Sequence, residues 1–228
     1  MPDHTTLSRR AATLEVPRSA SGSTDADGNA APLHLLVDSS GLKLFGADEW
    51  LIEKHGTKTR RSWKKLHLGV DADTGQIVAS ALTSRDVDDG AQTGPLLDQV
   101  TGQAASFTGD GAYDQDGVYA SVAKRPPEAA VIVPPRVTAV PSDTAETTPT
   151  QRDRHLQFIA KHGRIAWQKT SGYTARARAE AAIGRFKRVI GDGLRSRTDE
   201  RRRTEIEVAV HALNRMLELG RPSYVRVA

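Results

Sequence analysis

Residues 63–84, WKKLHLGVDADTGQIVASALTS, set two apolar runs on either side of a tight DTG turn. That pattern reads as a β-hairpin and commits the chain to building a sheet. Ahead of it, LHLLVD is a short apolar run that ends in Asp38, where SSG is expected to turn the chain and GLKLFG to form a second short strand. Behind it, the polar loop SRDVDDG leads into a short amphipathic helix, GAQTGPLLDQV, and then into the strand ASFTGD, which ends at Asp110. A helix from about residue 114 to 124 and the strand AAVIVPP, closed by its prolines, come next. Strands interleaved with helices in this order predict a mixed α/β domain. Two of its strands are expected to deliver an aspartate at their ends.

The second half of the chain reads as mostly helical. Residues 137–150 are Pro/Thr-rich and predict a mobile loop. A helix over 152–162, a strand-like GRIAWQ and a long helix over 198–219 are expected. The last is N-capped at Thr198 or Asp199 and stopped by Gly220 with Pro222 behind it. Between them lies YTARARAEAAIGRFK, residues 173–187. Wound as a helix at about 100° per residue, it projects Tyr173, Arg176, Glu180 and Lys187 within an arc of roughly 60°. Ala182, Ile183, Phe186, Val189 and Ile190 fall on another side as an apolar face. One face can pack while the other carries a carboxylate in a basic and aromatic frame.

Composition narrows the chemistry. The 228 residues suffice for one sizeable domain, and with 5% aromatics its core must rest on Val, Leu, Ile and Ala. There is no cysteine, which excludes disulfides, thiolate zinc sites and cysteine nucleophiles. No apolar run approaches the roughly 18 residues of a membrane span, and no signal peptide is visible. An intracellular, soluble protein is expected. The net charge of +4 favours an anionic partner. The bases are segregated: residues 58–65, KTRRSWKK, contain no acid, and 176–203 are rich in arginine.

Asp38, Asp110 and Glu180 are the candidates for chemistry. Two aspartates at neighbouring strand ends and a glutamate on a helix laid across them would form an all-oxygen site. Such a site suits Mg²⁺ or Mn²⁺, and two such ions can drive an in-line phosphoryl displacement. Each residue also has an ordinary structural explanation. A strand-end aspartate is commonly a turn or cap residue, Arg176–Glu180 is an i,i+4 pair, and basic runs are often solvated surface. His67 reads as a core or supporting histidine, Asp71 and Asp73 as turn residues, and Asp86, Asp88 and Asp89 as loop residues.

Taken together, LHLLVDSSGLKLFG, RSWKKLHLGVDADTG, TGDGAYD and SGYTARARAEAAIGRFKRVIGDGLRSR resemble the DDE transposases of insertion sequences, in particular the IS5-like group. The last stretch matches that group's Tyr–x2–Arg–x3–Glu–x6–Lys signature at Tyr173, Arg176, Glu180 and Lys187, and HALNRMLELG is similar to its closing helix. The resemblance implies an RNase H-like (retroviral integrase-like) mixed sheet flanked by helices over 32–222. An insertion at 137–172 would precede the helix that carries the catalytic glutamate. It implies Asp38, Asp110 and Glu180 as a triad holding Mg²⁺ or Mn²⁺, two ions in all. Tyr173, Arg176 and Lys187 would contact DNA near the cleaved phosphate. Lys64, Lys65, Arg60 and Arg61 from the basic run are candidate contacts to the DNA backbone.

Residues 1–31 read as a disordered tail or linker and 223–228 as a second tail. The chain is therefore expected to be shortened at its N-terminus relative to full-length members. The expected function is metal-dependent cleavage at transposon ends followed by strand transfer of a 3′-hydroxyl into target DNA. The enzyme is expected to act in a bacterial-type cytoplasm, as a homo-oligomer assembled on DNA. The alternatives are a non-catalytic DNA-binding remnant that interferes with an intact transposase and a cellular nuclease on the same fold.

Overall fold

The computed structural model describes residues 9–10, 14–17, 31–44, 63–125 and 127–220. Most of 1–31, all of 223–228 and the candidate contacts Arg60 and Arg61 lie outside these. The sheet is built from β1 (Leu33–Leu44), β2 (Trp63–Asp71), β3 (Ile77–Ser84), β4 (Ala104–Thr108), β5 (Ala130–Ile132) and the short β6 (Gly193–Leu194). Its order is β3-β2-β1-β4-β5, with β6 pairing the far end of β1. The β1–β2 and β2–β3 pairs are antiparallel, whereas β4 and β6 run parallel to β1, and β5 parallel to β4. This is the expected RNase H-like mixed sheet, and helices flank both of its faces.

The helices are α1 (Thr93–Leu97), α2 (Asp116–Ala123), α3 (Gln151–His162), α4 (Arg164–Thr170), α5 (Ala177–Val189) and α6 (Asp199–Leu219). Successive residues of a strand face opposite ways, so a central strand must be apolar on both faces. β1 obeys this rule. Leu33, Leu35 and Val37 pack with Leu96, Leu97, Val118 and Val122 of α1 and α2. Leu36 and Leu42 pack with Ala179, Ala182 and Phe186 of α5 and with Ile206, Ala209 and Leu213 of α6. By the same alternation Asp38 faces the α5–α6 side.

Four sequence expectations need correction. SSG does not turn the chain: β1 runs unbroken through Asp38 because Ser39, Ser40 and Gly41 stay paired with His67, Leu66 and Lys65 of β2. Gly41 is there for close approach, since a Cβ at that position would lie 2.9 Å from the Trp63 ring. The strand before Asp110 stops at Thr108, two residues earlier than expected.

GRIAWQ is helix α4 rather than a strand. The β5 edge that precedes it is already covered by α3: Gln151 Oε1 accepts from the Val131 N–H at 2.8 Å, and His155 Nε2 lies 2.9 Å from the Val131 carbonyl. Finally, Tyr173–Arg176 forms a 3₁₀ turn, and α5 begins only at Ala177. The expected apolar face holds at Ala182 and Phe186, with Ala179 added and Ile183 and Ile190 packed against them in part, while Val189 is exposed.

Residues 137–150 are tied to α3 at several points, Arg152 Nη1 donating to the Val140 carbonyl at 3.2 Å and Gln157 Nε2 to the Ala145 carbonyl at 3.1 Å. The Asp153 carboxylate accepts from the Ser142 N–H and hydroxyl, both at 2.8 Å, and from the Thr150 N–H at 2.9 Å and hydroxyl at 2.7 Å. With Thr150 it forms the capping box of α3.

Candidate active site

Sheet register brings the two aspartates together. Leu36 of β1 pairs with Thr108 of the parallel β4. Asp38 and Asp110 each lie two residues further on, so they sit side by side just past the end of the β1–β4 ladder. Their backbones hold them differently. Asp38 is mid-strand, and its Oδ1 accepts from the Ser39 N–H at 2.9 Å. Asp110 has left the sheet and caps a 3₁₀ turn (Gly111–Tyr113), its Oδ1 accepting from the Ala112 N–H at 2.9 Å. Gly109 permits this turn, because a Cβ there would sit 2.7 Å from the Tyr113 ring.

Glu180 stands in the first turn of α5, which packs on β1 and β2. Arg176, one turn earlier, links it to the aspartates. The Arg176 Nη2 lies 3.5 Å from Asp38 Oδ2 and 3.7 Å from Asp110 Oδ2, and its Nη1 bonds Glu180 Oε1. The i,i+4 pair foreseen in the sequence is therefore present, but as one arm of a guanidinium shared among three carboxylates.

Exposure rises across the set. The side chain of Asp38 is 15% exposed, that of Asp110 38% and that of Glu180 54%. Burial raises the pKa of Asp38; the Ser39 amide and Arg176 lower it in part, and Asp110 and Glu180 raise it further. For Arg176, burial pulls the other way, but the surrounding acids and Tyr173 leave its pKa raised. Among the described residues, no three acids or histidines stand close enough to hold a metal ion. The donor set nevertheless fits a hard cation. It is all oxygen, it surrounds one positive group, and no imidazole or thiolate competes.

Tyr173 flanks the site from the 3₁₀ turn. Its ring packs at 5.5 Å on Trp167 of α4, and Trp167 donates from Nε1 to His155 Nδ1 at 2.7 Å. With Nδ1 accepting, His155 carries its proton on Nε2 and donates it to the Val131 carbonyl. A chain of contacts thus runs from the sheet edge to Tyr173. Nothing in the sequence indicated Trp167 or His155, because their meeting joins two helices whose packing no local pattern encodes.

The remaining candidates are placed as follows. Lys187 is half-buried on the last turn of α5. Lys64 and Lys65 point to opposite faces of β2. Lys64 pairs with Asp199 of α6 at 2.9 Å, and Lys65 pairs with Asp89 at 3.1 Å and donates to the Val87 carbonyl at 2.8 Å. His67 is fully buried on the face that Lys65 shares, away from Asp38. Asp71 is a turn residue that accepts from the Asp73 N–H and the Thr74 hydroxyl.

The family described as "Transposase DDE domain" matches residues 29–216. Among solved structures, the piggyBac transposase in a synaptic complex with hairpin DNA is similar, with a TM-score of 0.40 and 9% identity. The match covers 82% of this chain and 47% of that one, so the chain spans about half the length of that protein.

Proposed function

Since the chain belongs to the transposase DDE domain family, we propose that residues 32–222 form the catalytic domain of a DNA transposase of the IS5-like group. Asp38, Asp110 and Glu180 are its metal-binding triad. The observation that carries this reading is the shared guanidinium: one cationic group is within reach of all three carboxylates. Bound by those carboxylates, Mg²⁺ or Mn²⁺ would activate a water or a 3′-hydroxyl and stabilise the leaving oxygen of an in-line displacement.

The chain's own residues then do the positioning. Asp38, fixed in the central strand, supplies the rigid ligand. Asp110 supplies its neighbour from a capped turn, and Glu180 closes the set from the helix. Arg176 offers a planar fork for a phosphate and Lys187 a point charge, while Tyr173 offers a ring on which an unpaired base can stack. Lys64 and Lys65 reach DNA only by exchanging an aspartate for a phosphate. The partners are the transposon ends and target DNA, on which the protein acts as a homo-oligomer.

Calorimetric titration with Mn²⁺ beside a duplex-binding assay tests this reading. The wild type is expected to bind Mn²⁺, and Asp110→Asn to lose that binding while still retaining duplex DNA. A wild type that holds DNA but no Mn²⁺ would instead be a non-catalytic DNA-binding remnant.

A further inference from the structure

Arg152 and Arg176 pair with carboxylates in contrasting ways. Arg152 grips Asp114 with a fork, Nε at 2.7 Å from Oδ1 and Nη2 at 3.1 Å from Oδ2. Arg176 grips nothing in that manner. Its Nη2 is divided between Asp38 at 3.5 Å and Asp110 at 3.7 Å, well beyond the roughly 2.7–2.9 Å of a charge-assisted hydrogen bond. Its Nε is buried and has no hydrogen-bond partner among the described residues. Such a donor costs free energy wherever it is left unmatched. Arg176 thus keeps one direct hydrogen bond, from Nη1 to Glu180, while Nη2 and Nε are poorly placed as donors toward the two aspartates. Toward Asp38 and Asp110 it is held as a charge rather than as a donor.

We propose that Arg176 is a built-in competitor for the divalent cation, occupying the triad until a metal ion displaces it and frees its guanidinium for a DNA phosphate. The proposal rests on the reading of Asp38, Asp110 and Glu180 as a cation site. Two positive groups cannot share that space at low cost, so metal entry requires the guanidinium to leave. The apparent metal affinity is then the intrinsic affinity reduced by the fraction of molecules whose arginine is already out. A phosphate that favours the outward position raises that fraction, so DNA tightens metal binding through Arg176 and metal tightens DNA binding by the same factor. An arginine that merely builds the site would have the opposite effect on metal affinity when removed.

The sign of that effect is the test. Mn²⁺ affinity is measured without DNA, by electron paramagnetic resonance of the free ion, for the wild type and Arg176→Gln. Arg176→Gln is expected to bind Mn²⁺ about tenfold more tightly if roughly one molecule in ten already has the arginine out. Its metal-free melting temperature should fall, and Mn²⁺ should restore it. Unchanged or weaker Mn²⁺ binding by a folded Arg176→Gln overturns the proposal and leaves the triad reading standing. Loss of Mn²⁺ binding in the wild type itself would overturn both. Should the variant fail to fold, the wild type still decides: the Arg176 Nε–H resonance is expected to shift on Mg²⁺ titration, and a resonance unmoved at saturation refutes displacement.

Discussion

Two buried polar residues outside the triad show how single side chains hold this fold. Asn214 of α6 accepts from the Ile77 N–H and donates to the Ile77 carbonyl, both at 2.8 Å, at 1% exposure. It serves as a strand partner for β3 and locks α6 onto the sheet. Asn214→Leu leaves both backbone groups unmatched in the core and is expected to cost about 2–4 kcal/mol in urea unfolding. His67 is the second. Its Nε2 pairs with the Thr83 hydroxyl at 2.9 Å, and its Nδ1 faces Asp89 Oδ1 at 3.5 Å. Burial lowers its pKa to about 4, against an opposing pull from Asp89. The unfolded chain therefore takes up this proton before the folded one does. The stability His67 contributes is complete above its ordinary value near 6.5 and is lost as pH falls through about 4. In His67→Gln, the loss of stability between pH 7 and pH 4 should shrink by roughly 2–3 kcal/mol. Parallel pH curves for the two proteins would contradict this.

At the scale of elements, the region between β5 and α5 decides how Tyr173 meets the site. α3 covers the sheet edge, α4 carries Trp167 against His155, and the 3₁₀ turn sets Tyr173 on Trp167. Trp167→Phe keeps a ring but removes the donor to His155. It is expected to cost about 1 kcal/mol in urea unfolding and to weaken duplex binding by loosening Tyr173. A variant with unchanged DNA affinity would detach this chain of contacts from function. The elements also show where sequence reading reaches its limit. The hairpin, α3 and α6 were legible because their turns, caps and periodicity are local. The continuity of β1 was not, since Gly41 signals a turn until Trp63 is seen lying against it. Nor was α4, whose short apolar run Ile165–Trp167 suits a strand and which lies beside a β5 edge already covered.

Across the whole molecule, the aspartate blocks and the 173–187 signature named the candidates for the site, and sheet register explains why two of them meet. The sequence left the role of Arg176 open. It was legible as a salt-bridge partner and as a phosphate contact, and only the fold reveals that Asp38 and Asp110 share it. The basic run likewise proved divided, because β2 sends Lys64 and Lys65 to opposite faces. DNA affinity is therefore expected to depend more on the α5 side. Lys187→Ala should lower the log–log salt slope of duplex binding by about one phosphate contact, and an unaltered slope would remove Lys187 from the interface. The central claim is that Asp38, Asp110 and Glu180 work as one site. Its most direct measurement is Mn²⁺-dependent cleavage of a pre-nicked or terminal-repeat duplex, with the wild type compared with Asp38→Asn, Asp110→Asn and Glu180→Gln. Each substitution is predicted to abolish cleavage while DNA binding persists; full cleavage by any one of them would contradict the account.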